Sequence, residues 1–100
     1  MYGRSTQFTG DPATIEEGIR IFKEEVIPAV SGQNGFKGAI SLSDRSSGKG
    51  ISITFWETED DMRGSEQPAN QVRTSSLAEL GITAPPTVDR MEVTYFEVNS

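Results

Sequence analysis

Alternation at period two is clearest over residues 50–56, where Ile51, Ile53 and Phe55 fall on one face and Ser52, Thr54 and Trp56 on the other. This predicts a strand running into the one tryptophan of the chain. A second strand is predicted over 36–44, with Phe36, Gly38, Ile40 and Leu42 alternating against Lys37, Ala39, Ser41 and Ser43. The small and polar residues 44–50 join the two as an antiparallel hairpin. Residues 2–8 alternate more weakly, Tyr2, Arg4, Thr6 and Phe8 against Gly3, Ser5 and Gln7. Residues 87–98 predict a long closing strand, with Met91, Val93 and Tyr95 on one face and Arg90, Glu92, Thr94, Phe96 and Val98 on the other.

Between these runs the period changes to that of helices. Asp11 as N-cap with Pro12 in the first turn opens a helix whose apolar positions Ile15, Ile19, Phe22, Val26 and Val30 recur at three or four. Pro28 predicts that this helix ends near Ile27 or kinks there. Thr58 reads as a second N-cap, with Glu59, Asp60 and Asp61 where unpaired backbone N–H groups favour negative charge. Gly64 and Pro68 interrupt the helix that follows, so the expectation is a short piece to about residue 66 and another over 68–80, stopped by Gly81.

The order strand, helix, strand, strand, helix, strand is the split βαβ arrangement: a single α+β, ferredoxin-like βαββαβ domain over residues 1–100, with a four-stranded antiparallel sheet. Both helices would cover one face of that sheet. The open face would carry Trp56 or its neighbours together with Phe96 and Val98, enough apolar surface to expect a homodimer formed sheet to sheet.

Composition narrows the chemistry. With no histidine and no cysteine, the usual general base, cysteine nucleophiles, disulfides, and imidazole and thiolate metal ligands are all missing, and a reducing cytoplasm is the expected setting. A net charge of −6 with scattered basic residues argues against nucleic acid. No apolar run reaches the roughly 20 residues that a bilayer span requires. Glu57, Glu59, Asp60 and Asp61 are explained by capping and helix-dipole complementarity, so no metal site is assigned to them.

Gly35-Phe36-Lys37-Gly38, a serine-rich polar turn, and Ile-Ser-Ile-Thr-Phe-Trp-Glu-Thr-Glu-Asp-Asp-Met over 51–62 together resemble the dimeric α/β-barrel superfamily, and within it the antibiotic biosynthesis monooxygenase-like domains. The Asp-Pro helix start and the long last strand extend the resemblance over nearly the whole chain. It implies two sheets pairing into a dimeric α/β barrel. It also implies the company of small cofactor-independent oxygenases of aromatic polyketides and of haem-degrading enzymes. The haem-degrading branch uses a histidine on the second helix and an asparagine on the first strand. This chain lacks the one and reads Ser5-Thr6-Gln7 at the other, which disfavours haem degradation.

Four residues are candidates for a substrate site. Trp56 is similar in position to a tryptophan that lies near substrate in several polyketide oxygenases of that family; its alternative is a core or interface aromatic. The interrupted second helix above it reads as a loose lid or as a plain irregular helix. Arg4, with Ser5, Thr6 and Gln7, lies on a strand that this topology makes central, so these side chains either line a polar cavity or are satisfied across a dimer interface. Tyr95 either points its phenol between sheet and helices or packs in the core. Arg73, with Asn70 and Gln67, either reaches such a pocket or is solvated. The expected function is a monooxygenase-like protein needing no cofactor and acting on a small aromatic or polycyclic compound, the alternative being a non-catalytic dimeric module that binds a small molecule.

Overall fold

A computed structural model describes residues 1–99. Four antiparallel strands, β1 (Tyr2–Thr9), β2 (Phe36–Ser43), β3 (Lys49–Trp56) and β4 (Thr87–Glu92), form one sheet in the order β2-β3-β1-β4. Helices α1 (Ile15–Ile21), α2 (Ile27–Ser31), α3 (Glu59–Gly64) and α4 (Glu66–Glu79) complete the α+β, ferredoxin-like arrangement.

The first helical segment starts as its residues dictate. Asp11 accepts from the Ala13 N–H at 2.9 Å, and Pro12 opens a short 3₁₀ turn leading into α1. Pro28 neither ends nor breaks the segment. The turn before it, Phe22–Val26, is π-helical, with Ile27 N–H reaching back to the Phe22 carbonyl, and the chain then continues as α2 to Ser31. Proline cannot donate and crowds the carbonyl four residues back, and the wide turn absorbs both defects.

Thr58 caps α3 by accepting from Asp61 N–H at 3.0 Å. The break between α3 and α4 is buried rather than loose. Ser65, fully enclosed at the junction, donates to the Met62 carbonyl at 2.7 Å, and Met62 and Ala69 on either side belong to the core. Pro68 sits in the first turn of α4, where a missing N–H costs nothing.

Register decides which side chains meet the helices. Trp56 pairs with Tyr2 and Phe36, and all three lie on the helix-covered face, packed with Val30, Met62 and Ala69. Trp56 is fully buried, and Phe36 meets it edge-on at 5.5 Å between ring centroids. Of the expectation that the open face carries Trp56 or its neighbours, the first half is corrected, since Trp56 is covered, while its neighbour Phe55 lies on the open face. A bulge between Phe36 and Gly38 puts Phe36 beneath the helices while Gly38, Ile40 and Leu42 follow Phe55, Ile53 and Ile51 onto the open face. Ile40 and Leu42 are exposed there. The sheet is thus aliphatic outside and rich in hydroxyls inside.

The last strand is shorter than its alternation predicts. It ends at Glu92, and residues 93–99 lie outside it. Phe96 still reaches the open face, meeting Phe55 at 5.7 Å between centroids.

Candidate functional site

Between sheet and helices the packing is solid at the Trp56 end and hollow at the other. The hollow is a cavity of about 110 Å³, some ten times what one water requires. Its floor follows from the register. Ser52 of β3 lies opposite Thr6 of β1 and Ser41 of β2, a row of hydroxyls across three strands, with Arg4 opposite Thr54 one step nearer the tryptophan. Its roof is apolar: Ile19, Phe22 and Val26 from the first helical segment, Val72, Leu77 and Leu80 from the end of the chain's second. The π-helical turn contributes Phe22 and Val26, so the defect ahead of Pro28 forms part of the cavity wall. Ser41, Ser43 and Lys49, which line the cavity and are exposed, mark its open side. At that end Gly50 leaves room for the Phe8 ring, which would stand 2.7 Å from an added Cβ.

Arg4 joins the solid and hollow halves. It is 3% exposed, and its Nη1 donates to the Met62 carbonyl at 3.1 Å, to Ser65 Oγ at 3.1 Å and to Glu66 Oε1 at 3.0 Å. These bonds tie the helix break to the central strand. The guanidinium also lies over the Trp56 ring, 5.4 Å from its centroid. Nη2 of the same group is buried and has no partner among the described residues. The hydroxyl of Ser76, a residue 7% exposed on α4, is in the same condition. Its neighbour Ser75 bonds back to the Val72 carbonyl, whereas Ser76 Oγ has no such bond. Both residues line the cavity. Buried polar atoms are normally paired, so two orphans on residues that line one cavity call for a partner from the cavity side, water or a ligand.

Electrostatics follow from the same groups. Burial pushes the Arg4 guanidinium pKa down, with Glu66 acting against the shift. Arg73 is also pushed down, first by burial and then by the charge of Arg4. Glu66 is held well below the usual carboxylate range, at about 2, chiefly by the hydrogen bond from Arg90. Arg90, beside Arg4 in the register, grips it through Nε and Nη2, both at 2.7 Å.

The four sequence candidates separate. Arg4 and Arg73 line the cavity. Trp56 stands behind it: its indole N–H donates to Thr54 Oγ1 at 2.9 Å, and it touches the cavity through Thr54 and Arg4. Tyr95 lies outside, 78% exposed and bonded to Glu97: the register pairs Met91 with Gly3, so the face that Met91 and Tyr95 share is the open one, and the strand itself stops three residues before Tyr95. Of the first-strand polar residues, Arg4 and Thr6 take the cavity side while Gln7 takes the open face. Asn70 accepts from Arg73 Nη1 at 3.2 Å. Ser76 and Glu66 escaped the sequence reading, since nothing in a helical pattern separates them from solvated residues. The hydroxyl row follows once Trp56 is seen to be buried, because Thr54 and Ser52 share its face, but alternation alone does not say which face is covered.

No family model matches the chain. Among curated proteins it is 32% identical over 93 residues to the uncharacterized protein Rv2557 of Mycobacterium tuberculosis, a match covering 93% of this chain and 41% of that one. It is 34% identical over 73 residues to Rv2558 of the same organism, covering 73% and 31%. The chain thus spans less than half the length of these curated relatives. Among solved structures it is similar to the Streptomyces coelicolor monooxygenase from the gene ActVA-Orf6 in complex with nanaomycin D, with a TM-score of 0.77, 20% identity, and coverage of 99% of this chain and 92% of that one. SnoaB, a cofactor-independent oxygenase from Streptomyces nogalater, follows with a TM-score of 0.63, 21% identity, and coverage of 97% and 94%. Rv0793 from Mycobacterium tuberculosis matches with a TM-score of 0.70, 11% identity, and coverage of 97% and 98%. With that agreement of shape over nearly every residue, the chain has the fold of the dimeric α/β-barrel superfamily, in the form shared by the antibiotic biosynthesis monooxygenase-like proteins.

Proposed function

We propose that the cavity binds a small aromatic or polycyclic compound and that the protein acts on it as a monooxygenase-like enzyme without a cofactor. The observation that carries this reading is the pair of unpartnered buried donors, Arg4 Nη2 and Ser76 Oγ, on residues that line a cavity with an apolar roof. Oxygen can react directly with a substrate that forms its own carbanion. A benzylic methylene flanking a carbonyl then becomes a carbonyl, one atom of O₂ entering it and the other leaving as water. The protein's part would be to orient the ring system, exclude water and stabilise the enolate oxygen. Arg4 and Ser76 supply donors for that charge, and the positive charge of Arg73 favours ionisation of an enol or phenol. The described cavity lining contains no carboxylate, so the substrate must be acidic enough to ionise in that field. Similarity of fold to a structure holding nanaomycin D supports the choice of substrate class.

A non-catalytic binding module is the second reading, favoured by the absence of histidine and cysteine. Oxygen uptake with hydroxylated anthrones separates the two. An uptake above the spontaneous rate, lost on Ser76→Ala, is expected for the oxygenase, and an unchanged spontaneous rate would leave only the binding module.

We further propose that the exposed aliphatic face of the sheet closes against a second copy, as the fold's dimeric barrels do. Among the described residues no helix is long and apolar enough to cross a membrane. The absence of cysteine suits the cytoplasmic setting that we assign.

A further inference from the structure

The charge of the cavity is opposite to that of the chain. Acidic residues outnumber basic ones by 15 to 9 overall, yet among the described residues the charged ones lining the cavity are Arg4, Lys49 and Arg73, with no acid among them. Random sorting in so acidic a chain would bring carboxylates in. Nor is the positive charge neutralised nearby, because Glu66 is the carboxylate bonded to both Arg4 and Arg90, and Arg73 is in no ion pair among the described residues. Arg4 and Arg90 thus share one bonded carboxylate, and Arg73 has none among the described residues, beside a largely apolar space.

A structural role explains only part of this arrangement. Arg4 Nη1 holds the helix break together, and its contacts there are complete without Nη2. The unpartnered Nη2, the unpartnered Ser76 hydroxyl and the Arg73 charge remain, all on residues that line the cavity. A neutral acceptor would satisfy the donors but leave the charge unbalanced. An ionised oxygen acid satisfies both, through charge-assisted hydrogen bonds that are strong when desolvated.

We propose that the cavity selects anions: an apolar, ring-sized body under the helices, carrying one ionised oxygen group, carboxylate or phenolate, held by Arg4 Nη2, Ser76 Oγ and Arg73. This rests on the cavity being a ligand site and is independent of oxygenation. Trp56 is the built-in reporter, being the one tryptophan and bonded to the cavity residue Thr54.

The test titrates the protein with 2-naphthoate, with its neutral isostere 2-naphthamide, and with a nitronaphthol ionised at neutral pH. Trp56 fluorescence follows binding, and calorimetry checks it. The naphthoate should bind about tenfold or more tightly than the amide, as one charge-assisted contact predicts. Arg73→Met should weaken the naphthoate several-fold and leave the amide nearly unchanged, while Ser76→Ala should weaken the naphthoate more than the amide, because the charged acceptor loses the stronger bond. A nitronaphtholate that binds with the naphthoate marks any oxygen anion as sufficient; one that binds only like the amide narrows the site to carboxylates. Equal affinity for acid and amide, equal losses for both ligands in the variants, or no binding of any probe would overturn the proposal. Because naphthoate is not oxidised by this chemistry, anion binding without oxygen uptake would sink only the oxygenase, and oxygen uptake without anion preference would sink only this inference.

Discussion

At the scale of single residues, Arg4 and Trp56 divide the work that sequence patterns would assign to Trp56 alone. Trp56 carries the packing, with its faces against Phe36 and Arg4 and its N–H on Thr54. Arg4 carries the polar connection, with one nitrogen bonded at the helix break and the other buried without a partner among the described residues. A buried aromatic of this size contributes several kcal/mol, and its removal leaves a void the sheet cannot close. Trp56→Ala should therefore lower stability by about 3–5 kcal/mol, read from urea unfolding followed by circular dichroism. A loss under ~1 kcal/mol would show that the solid half of the interior is not packed as described.

At the scale of elements, local defects shape the cavity. The π-helical turn before Pro28, the bulge after Phe36 and the break at Ser65 each interrupt a regular element, and each is braced by neighbours. The β2–β3 hairpin meets the start of the first helical segment through Gly48. It has φ +81° and donates nothing to Gly10 but accepts its N–H at 3.0 Å. A Cβ at Gly48 would stand 1.9 Å from the Gly10 carbonyl oxygen, a backbone atom that cannot swing away. Gly48→Ala should cost about 1–3 kcal/mol, from positive φ and displaced backbone together, and lower the melting temperature by several degrees. An unchanged melting temperature would contradict that contact.

At the scale of the molecule, one acidic group and one sheet face dominate the expected behaviour. The Glu66 pKa is depressed in the folded state, so its stabilisation is complete above the ordinary carboxylate value and is lost as pH falls toward about 2. Glu66→Gln should be less stable than wild type at neutral pH, by on the order of 1–2 kcal/mol once solvent screening of this partly exposed carboxylate is allowed for, and the two stability curves should converge as pH falls from the ordinary carboxylate value toward about 2. Parallel curves would show that Glu66 is not the group titrating. The aliphatic outer face of the sheet predicts a dimer in sedimentation at micromolar concentration, and Leu42→Lys should shift it to monomer. A monomeric wild type would refute sheet-to-sheet pairing.

The elements, their order and their caps were legible in the chain because local physics sets them: period two, period three to four, and side chains such as Asp11 and Thr58 that satisfy orphan N–H groups within a few residues. Alternation also showed that Trp56 and Ile53 must lie on opposite faces. It could not say which face the helices cover, because a strand with hydroxyls on one side and aliphatics on the other has two consistent placements. Tertiary packing decided for the hydroxyls inside, and with that choice came both the cavity and the apolar outer face. The same holds for the site. Arg4 and Arg73 could be named from sequence as candidates, but their convergence with Ser76, a separation of 72 residues closed by the fold, exists only once the second helix is laid across the first strand.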